Sequence, residues 1–245
     1  MLVLRPHPTP ALHSQSGKLS AGGGGKTLAI RYDRNMKATE LVYASFSHGW
    51  QTFVKRPWFL IGSVVVVFGV SAVSGGIAQS AGDGGVAATS FIFNAVDFFV
   101  VQIFVSMGII AWSLKANSQI ESTKISDLWA PHAYWRYLGT SILITIIELI
   151  GFALLVIPGI IASVLLMFAP FLVIDRGLSP FAAVKASFAI NKEHFWAVFL
   201  LMLAAIAANI IGLILLGVGL LVSIPVTVIA MAYAYRTLSS MPMEA

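Results

Sequence analysis

The chain has 245 residues, of which 58% are hydrophobic and 10% are charged. Soluble domains carry about 25% charged residues, so this composition is not that of a water-soluble fold and indicates a membrane protein. The net charge is +5 and cysteine is absent, which excludes disulfides, thiolate metal ligands and a cysteine nucleophile.

Residues 1–35 hold several prolines, a four-glycine run and scattered basic residues without apolar periodicity, which predicts a disordered basic tail. The tail includes "SAGGGGKT", whose Gly25, Lys26 and Thr27 match the end of a phosphate-binding loop. Ser20 stands where that motif needs its first glycine, and no strand precedes it. The sequence therefore predicts a linker and no nucleotide site.

Four long apolar stretches follow from Pro57 onward, over residues 58–77, 91–113, 137–174 and 195–235. A spanning helix needs about 20 residues, so the last two stretches are long enough to cross twice. Pro158 and Gly159 interrupt one of them, and a group of glycines interrupts the other. We predict an all-α, polytopic membrane bundle within residues 36–237, followed by a short C-terminal tail at 238–245. Its six transmembrane helices form three hairpins, over residues 58–77, 91–113, 137–157, 158–174, 195–212 and 217–235.

Basic residues predict the orientation of these spans. All 15 lysines and arginines fall in the tail up to Arg56, in two loops (115–136 and 176–192) and at Arg236. The opposite loops carry none, so both termini are expected in the cytoplasm, with the protein in the inner (cytoplasmic) membrane. The positive charge then reflects orientation and not a nucleic-acid partner. Re-entrant hairpins would give the same charge pattern, but an arm length of about 28 Å favours full spans.

Segments with helical spacing of bulky apolar residues precede each hairpin and predict three interfacial amphipathic helices. Their apolar positions are Val42, Phe46, Trp50, Phe53 and Val54; Leu128, Trp129, Trp135 and Leu138; and Phe181, Val184, Phe188 and Phe195, the last set opened by Ser179 as N-cap. Short matches support a repeat: "PGIIASV" at 158–164 resembles "VGLLVSI" at 218–224, and "ASF" occurs at 44–46 and 186–188. We therefore predict parallel repeats of amphipathic helix plus hairpin.

Three stretches carry a family resemblance: "SFSHGWQTFVKRPW", "LVIPGIIASVLLMFAPFLVIDRGLSPFAAVKASFAINKEHFWAVFLL" and "GVGLLVSIPVTVIAMAYAY". Over roughly residues 40–237 the chain resembles a poorly characterised bacterial family related to the membrane domain of glycerophosphoryl diester phosphodiesterases. The resemblance implies a multi-pass inner-membrane protein. It brings no catalytic residues, because the chemistry of those enzymes belongs to a separate soluble domain.

Two carboxylates, Glu148 and Asp97, fall within predicted spans, where ionisable groups are costly and raise a functional hypothesis. Ser141 and Thr145 share a helix face with Glu148, and Asn94 shares one with Asp97. These polar stripes favour either a proton- or cation-responsive cavity or hydrogen bonds that hold the bundle together.

Arg176, Lys185 and Lys192 are candidate contacts for lipid headgroups at the inner surface, although Asp175 offers Arg176 an alternative partner. No paired-carboxylate, G-x-S-x-G or H-E-x-x-H pattern appears, so no catalytic, cofactor or metal residue is predicted. The sequence favours a non-catalytic inner-membrane protein in envelope or lipid organisation or in a membrane complex. Its expected partners are membrane lipids, other membrane proteins or its own copies, without nucleic acid or nucleotide. The alternative is a small transporter or channel that uses Glu148 and Asp97.

Overall fold

A computed structural model describes residues 37–82, 92–94, 97–129, 134–215 and 217–240. The predicted basic tail at 1–35 lies outside the described residues, as does most of the predicted C-terminal tail. Within the described ranges all regular structure is helical. The α-helices there include α1 (Ala38–Lys55), α2 (Pro57–Gly82), α3 (Ile103–Gln119), α4 (Tyr134–Leu154), α5 (Val156–Leu166), α6 (Ala169–Arg176), α7 (Pro180–Glu193), α8 (Phe195–Ile214) and α9 (Leu220–Ser239).

Five described segments are long and apolar enough to cross a membrane, and they confirm an all-α membrane bundle. They are Pro57–Ile77, Tyr134–Leu154, Val156–Arg176, Phe195–Ile214 and Leu220–Ser239. The predicted span at 91–113 begins partly outside the described residues. Its remainder forms a π-helix, Asp97–Gln102, that continues directly into α3.

The second predicted hairpin is present, but its turn lies three residues earlier than predicted. α4 ends at Leu154, Leu155 is extended (φ −168°, ψ 159°), and α5 begins at Val156. Pro158 falls in the first turn of α5, where a helix tolerates a missing amide. The arms are therefore 134–154 and 156–176, in place of 137–157 and 158–174. A Cβ on Gly151 would lie 3.0 Å from the Cα of Gly159, so glycine permits the close packing of the two arms.

The second arm of this hairpin is broken where α5 ends and α6 begins. The side chains of α7 satisfy main-chain groups around the break: Ser187 donates to the Leu165 carbonyl (2.9 Å) and accepts from the Phe168 amide (3.2 Å). Asn191 donates to the carbonyls of Val164 (2.9 Å) and Leu165 (3.1 Å). Both side chains are fully buried. α7 therefore stabilises the break by replacing lost helical hydrogen bonds.

The third predicted hairpin consists of α8 and α9. Gly217 in the connection has φ +76°, a left-handed conformation that glycine adopts without strain. A Cβ on Gly219 would lie 2.6 Å from the carbonyl oxygen of Gly212, so the arms meet at these two glycines. Pro225 lies inside α9 and is buried.

Two of the three segments predicted as amphipathic helices form helices, α1 and α7. The remaining segment contains a 3₁₀-helix, Ile125–Trp129, then residues outside the described ranges, then the start of α4. The buried face of α1 includes Leu41, Ser45 and Gly49 and packs chiefly against α9. Trp50 and Val54, predicted on that helix's apolar face, are exposed.

α1 and α7 each pack mainly on a hairpin other than the one they introduce. α7 lies against α4, α5 and α6, which precede it, and α1 lies against α8 and α9 at the end of the chain. The 3₁₀-helix Ile125–Trp129 likewise packs on α3. The largest core cluster joins these elements around Phe168, Leu172 and Tyr235, all of which are fully buried.

Candidate functional site

Asp97 is the first residue of the π-helix, and two consecutive hydrogen bonds connect its side chain to α2. Gln102 donates from its Nε2 to the Asp97 Oδ2 (3.3 Å), and Ser71 of α2 donates to the Gln102 Oε1 (3.4 Å). The second carboxylate oxygen, Oδ1, is buried and has no hydrogen-bond partner among the described residues. Sequence spacing missed Gln102 and Ser71, because a contact between residues i and i+5 fits the π-helix and not the α-helix.

Glu148 lies on the protein-facing side of α4, because its neighbour Ile144 packs on the core and Gly151 is buried. The Glu148 carboxylate is half-buried and makes no hydrogen bond or ion pair with a described residue. Since α4 ends at Leu154, Glu148 lies six residues, about 9 Å, from the end of that helix.

Neither Ser141 nor Thr145 forms a side-chain hydrogen bond with these carboxylates in the described chain. The Thr145 hydroxyl donates to the Ser141 carbonyl of its own helix (2.8 Å), so Thr145 is tied to the backbone. Asn94 is exposed. No hydrogen bond joins Asp97 to Glu148 in the described chain. A proton- or cation-responsive cavity lined by the two polar stripes therefore stays a prediction.

A polar cluster outside the two predicted polar stripes links α8 and α9. Ser223 donates to the Asn209 Oδ1 (2.9 Å), and the Asn209 amide group donates to the Ala205 carbonyl (2.9 Å). Thr227 lies 3.5 Å from the same amide nitrogen. These bonds satisfy the polar atoms within the bundle, which is the role expected of hydrogen bonds between membrane helices.

Three arginines at the helix ends bind main-chain carbonyls. Arg56 donates to the carbonyls of Ile120 (3.0 Å), Glu121 (3.2 Å) and Thr123 (3.2 Å) just beyond α3. Arg136 donates to the Gly177 carbonyl at the end of α6. Each guanidinium thus satisfies carbonyls at the negative end of a helix dipole.

Arg176, one of the three predicted headgroup contacts, belongs to the same group. Its Nη2 donates to the Ser239 carbonyl at the end of α9 (2.7 Å). Asp175 does not pair with it and instead accepts a hydrogen bond from Tyr235 (2.9 Å). Lys185 and Lys192 of α7 are exposed and make no hydrogen bond or ion pair with a described residue. The ammonium groups of Lys185 and Lys192 are therefore available to bind a headgroup.

Exposed tryptophans lie where the first helix of each hairpin begins, and we call this position the tryptophan level. The second residue of the first helix in each hairpin is tryptophan: Trp58 in α2, Trp135 in α4 and Trp196 in α8. Their exposed fractions are 84%, 80% and 69%. The outer ends of the arms expose a continuous apolar surface instead, which includes Leu154 to Ile157 and Leu213 to Leu215. Exposed indole at one level beside exposed aliphatic surface is typical of a membrane–water interface.

His48 lies between α1, α3 and α9. Its ring stacks on Tyr233 with 4.7 Å between centroids. Burial lowers the pKa of His48 below its ordinary value, against hydrogen bonds with Asn117 that act to raise it, and the charge of Lys55 lowers it further. The neutral imidazole is therefore the form that this packing favours.

No group of three or more metal-ligating side chains occurs in the part of the chain that the structure describes. No protein-family model matches the sequence, and no solved structure matches it. The chain is similar to Uncharacterized protein Rv2560 of Mycobacterium tuberculosis and to Uncharacterized protein Mb2590 of Mycobacterium bovis. In each case 144 residues are 32% identical, covering 59% of this chain and 44% of the relative. The match spans less than half the length of these relatives, whose names state no activity.

Proposed function

We propose that the chain is a non-catalytic, multi-pass protein of the inner (cytoplasmic) membrane that takes part in lipid or envelope organisation, with both termini in the cytoplasm. The observation that carries this proposal is the level of exposed tryptophans at the base of the three hairpins. Such a belt anchors a protein at the headgroup region. The aliphatic surface exposed beyond these tryptophans is larger than soluble proteins usually expose to water, which indicates contact with lipid.

Charge supports the orientation. The described lysines and arginines occur at the tryptophan ends of the hairpins and in α1 and α7, whereas Leu155 and the described residues of 215–219 include none. Basic residues are retained on the cytoplasmic side, so the tryptophan level is the inner interface. The family resemblance over residues 40–237 agrees with this placement and belongs to the proposal.

The non-catalytic assignment rests on what the polar residues do. Most of the buried polar groups that could serve chemistry bind main-chain atoms or hold helices together, as Ser187 and Asn191 do. Neither Asp97 nor Glu148 is hydrogen-bonded to a base, a nucleophile or a second carboxylate among the described residues. Lipids, other membrane proteins or further copies of the chain are the partners that this surface suits.

One observation favours the alternative of a small transporter or channel: the buried, unpartnered Oδ1 of Asp97. Purified protein in liposomes distinguishes the two functions. We expect no proton or solute flux above that of protein-free liposomes for the wild type, Glu148→Gln or Asp97→Asn. Wild-type flux that either substitution abolishes, with the variant still folded, would replace the proposed function by transport.

A further inference from the structure

An open groove of about 620 Å³ lies between α4, α5 and α7, and we call it the α7 groove. α4 contributes Ile147, and α5 contributes apolar residues along one side, among them Pro158, Ile161, Ala162 and Leu165. α7 forms the facing wall with Phe181, Val184, Lys185 and Phe188. Its volume lies in the range of small-molecule sites, and its lining is apolar except for one lysine.

The α7 groove combines an apolar lining with one cationic side chain, as expected of a site for a phospholipid. Both α4 and α5 belong to membrane spans, so the groove opens to the bilayer. From Leu165 to Pro158 it follows α5 for seven residues, about 10 Å, toward the turn at Leu155. Lys185 lines the α7 side of the groove, five residues after Pro180. The Pro180 ring packs on Gly139, four residues after Trp135.

Lys185 is also available for an anion. It is exposed and makes no hydrogen bond or ion pair with any described residue, whereas Lys115, for comparison, is held by Asp127 at 2.7 Å. Phe181 and Phe188 on the same face are exposed. A free cation beside exposed aromatic and aliphatic walls complements an anionic headgroup with its acyl chain.

A second groove, which we call the α1 groove, provides an internal comparison. It has about 720 Å³ and lies between α1 and α8. α1 lines it with Thr39, Val42, Tyr43 and Phe46, and the α7 lining residues occupy the same four positions 142 residues later. This is the spacing of the two "ASF" matches. The cation position differs: Tyr43 in the α1 groove stands where the α7 groove has Lys185.

We propose that the α7 groove is a binding site for an anionic phospholipid, with an acyl chain along α5 and the headgroup phosphate on Lys185. The α1 groove, built on the same register without the lysine, accepts lipid without selecting for headgroup charge. The inference rests on the proposed membrane function and deepens it by assigning a site and a headgroup class.

Native mass spectrometry of the full chain, exchanged into equal mixtures of phosphatidylglycerol and phosphatidylcholine, tests this assignment. We expect wild type to retain phosphatidylglycerol preferentially and Lys185→Ala to lose about fivefold of that preference, as expected for one lysine beside a headgroup of net negative charge. Lys185→Arg should keep it. Ala162→Phe should lower retention by filling the α7 groove without changing charge, whereas the matched substitution Ala204→Phe in the α1 groove should leave the phosphatidylglycerol preference intact.

Each possible result of these measurements contradicts a different part of the proposal. Equal retention of the two lipids, or a preference that survives both Lys185→Ala and Ala162→Phe, would overturn the site. Competition by water-soluble glycerol phosphate would also overturn it, because the groove would then have no part in binding. A dimer mass that disappears with Ala162→Phe would assign the groove to a second copy of the chain. Flux in liposomes would overturn the proposed function while leaving the retention result as it stands.

Discussion

At the scale of single residues, small or polar side chains decide how closely the helices approach. Glycine occupies places where a neighbouring backbone leaves no space for a Cβ: one on Gly49 would lie 2.5 Å from the Val226 carbonyl oxygen. Membrane helices lack a hydrophobic drive to associate with each other, so close packing and hydrogen bonds supply the attraction. The same logic explains why Ser45, Ser187 and Asn191 are buried on α1 and α7.

His48 makes the stability of the fold depend on pH. Burial holds its folded-state pKa below the ordinary value of 6.5, and Lys55 acts in the same direction. The unfolded chain therefore binds the proton more readily, and stability should be full above about pH 6.5 and decline as the pH falls from there through the folded pKa. Thermal unfolding in detergent between pH 8 and pH 5 should show this decline, and His48→Phe should reduce it.

His194 provides the control for that measurement, because burial also lowers its pKa while Glu193 acts to raise it. The wild-type slope should therefore divide between the two histidines, and the double variant His48→Phe, His194→Phe should be flatter than either single variant. An unchanged slope in His48→Phe would show that protonation of this ring carries no cost in the folded state.

At the scale of helices and turns, the sequence predicted the apolar arms but not every place where they end. The lengths of the apolar stretches and their central glycines indicated hairpins, and the structure has them. The turn at Leu155 could not be read from Pro158 and Gly159, because proline is also favourable in the first turn of a helix. There, Gly159 serves packing: a Cβ would overlap the ring of Phe152.

The helix faces were harder to predict for a related reason. Apolar spacing selected Trp50 and Val54 on α1, yet the buried face includes Ser45, Gly49 and Thr52. In a membrane protein an apolar side chain is as stable facing lipid as it is packed inside the protein. Hydrophobic periodicity therefore does not identify the protein-facing side. The π-helical Asp97–Gln102 contact was missed because α-helical spacing never places those residues together.

Gly108 tests the packing of the 3₁₀-helix on α3. A Cβ there would overlap the carbonyl oxygen of Leu128, a backbone atom that cannot rotate away. Gly108→Ala should therefore lower the free energy of unfolding by about 1–3 kcal/mol. Gly62→Ala in α2 is the matched control, since no atom lies within 4 Å of its added Cβ. That control should be neutral or stabilise by up to about 1 kcal/mol through helix propensity.

Unfolding in mixed detergent measures both variants under one condition. Opposite signs for the two substitutions would confirm that Gly108 is required for contact and not merely tolerated. A loss of stability of equal size in both would instead assign the effect to alanine at a glycine position in any membrane helix.

At the scale of the whole molecule, three helical segments outside the spans each pack on the second arm of a hairpin: α7, the 3₁₀-helix Ile125–Trp129 and α1. Of these, α1 joins the beginning of the described bundle to its last helix. α1 lies on α9, the last helix of the described residues, in the place that α7 takes on α5 and α6. This arrangement closes the bundle between its first and last elements. Truncating α1 would therefore expose the face of α9 that carries Val226 and Tyr233, which pack on Gly49 and His48.

The path of the chain across the membrane is the property that the proposed function most depends on. The chain contains no cysteine, so single-cysteine variants need no altered background. Leu155→Cys and Val218→Cys lie at exposed positions in the turns of the second and third hairpins, and Ser80→Cys lies near the far end of α2. In intact cells a membrane-impermeant maleimide should label all three. Ser118→Cys and Ser240→Cys should react only after permeabilisation, because they lie at the ends of α3 and α9 where Arg56 and Arg176 bind main-chain carbonyls.

The comparison among the three outer positions separates full spans from re-entrant hairpins. α2 has 26 residues, about 39 Å, and crosses the bilayer in either arrangement, so Ser80→Cys reports that the reagent reaches the outer surface. α4 and α8 have 21 and 20 residues, about 30 Å each, which matches the hydrocarbon core. Labelling of Ser80→Cys without Leu155→Cys or Val218→Cys would make the second and third hairpins re-entrant. Labelling of Ser118→Cys in intact cells would reverse the proposed orientation, since the basic residues would then face outward.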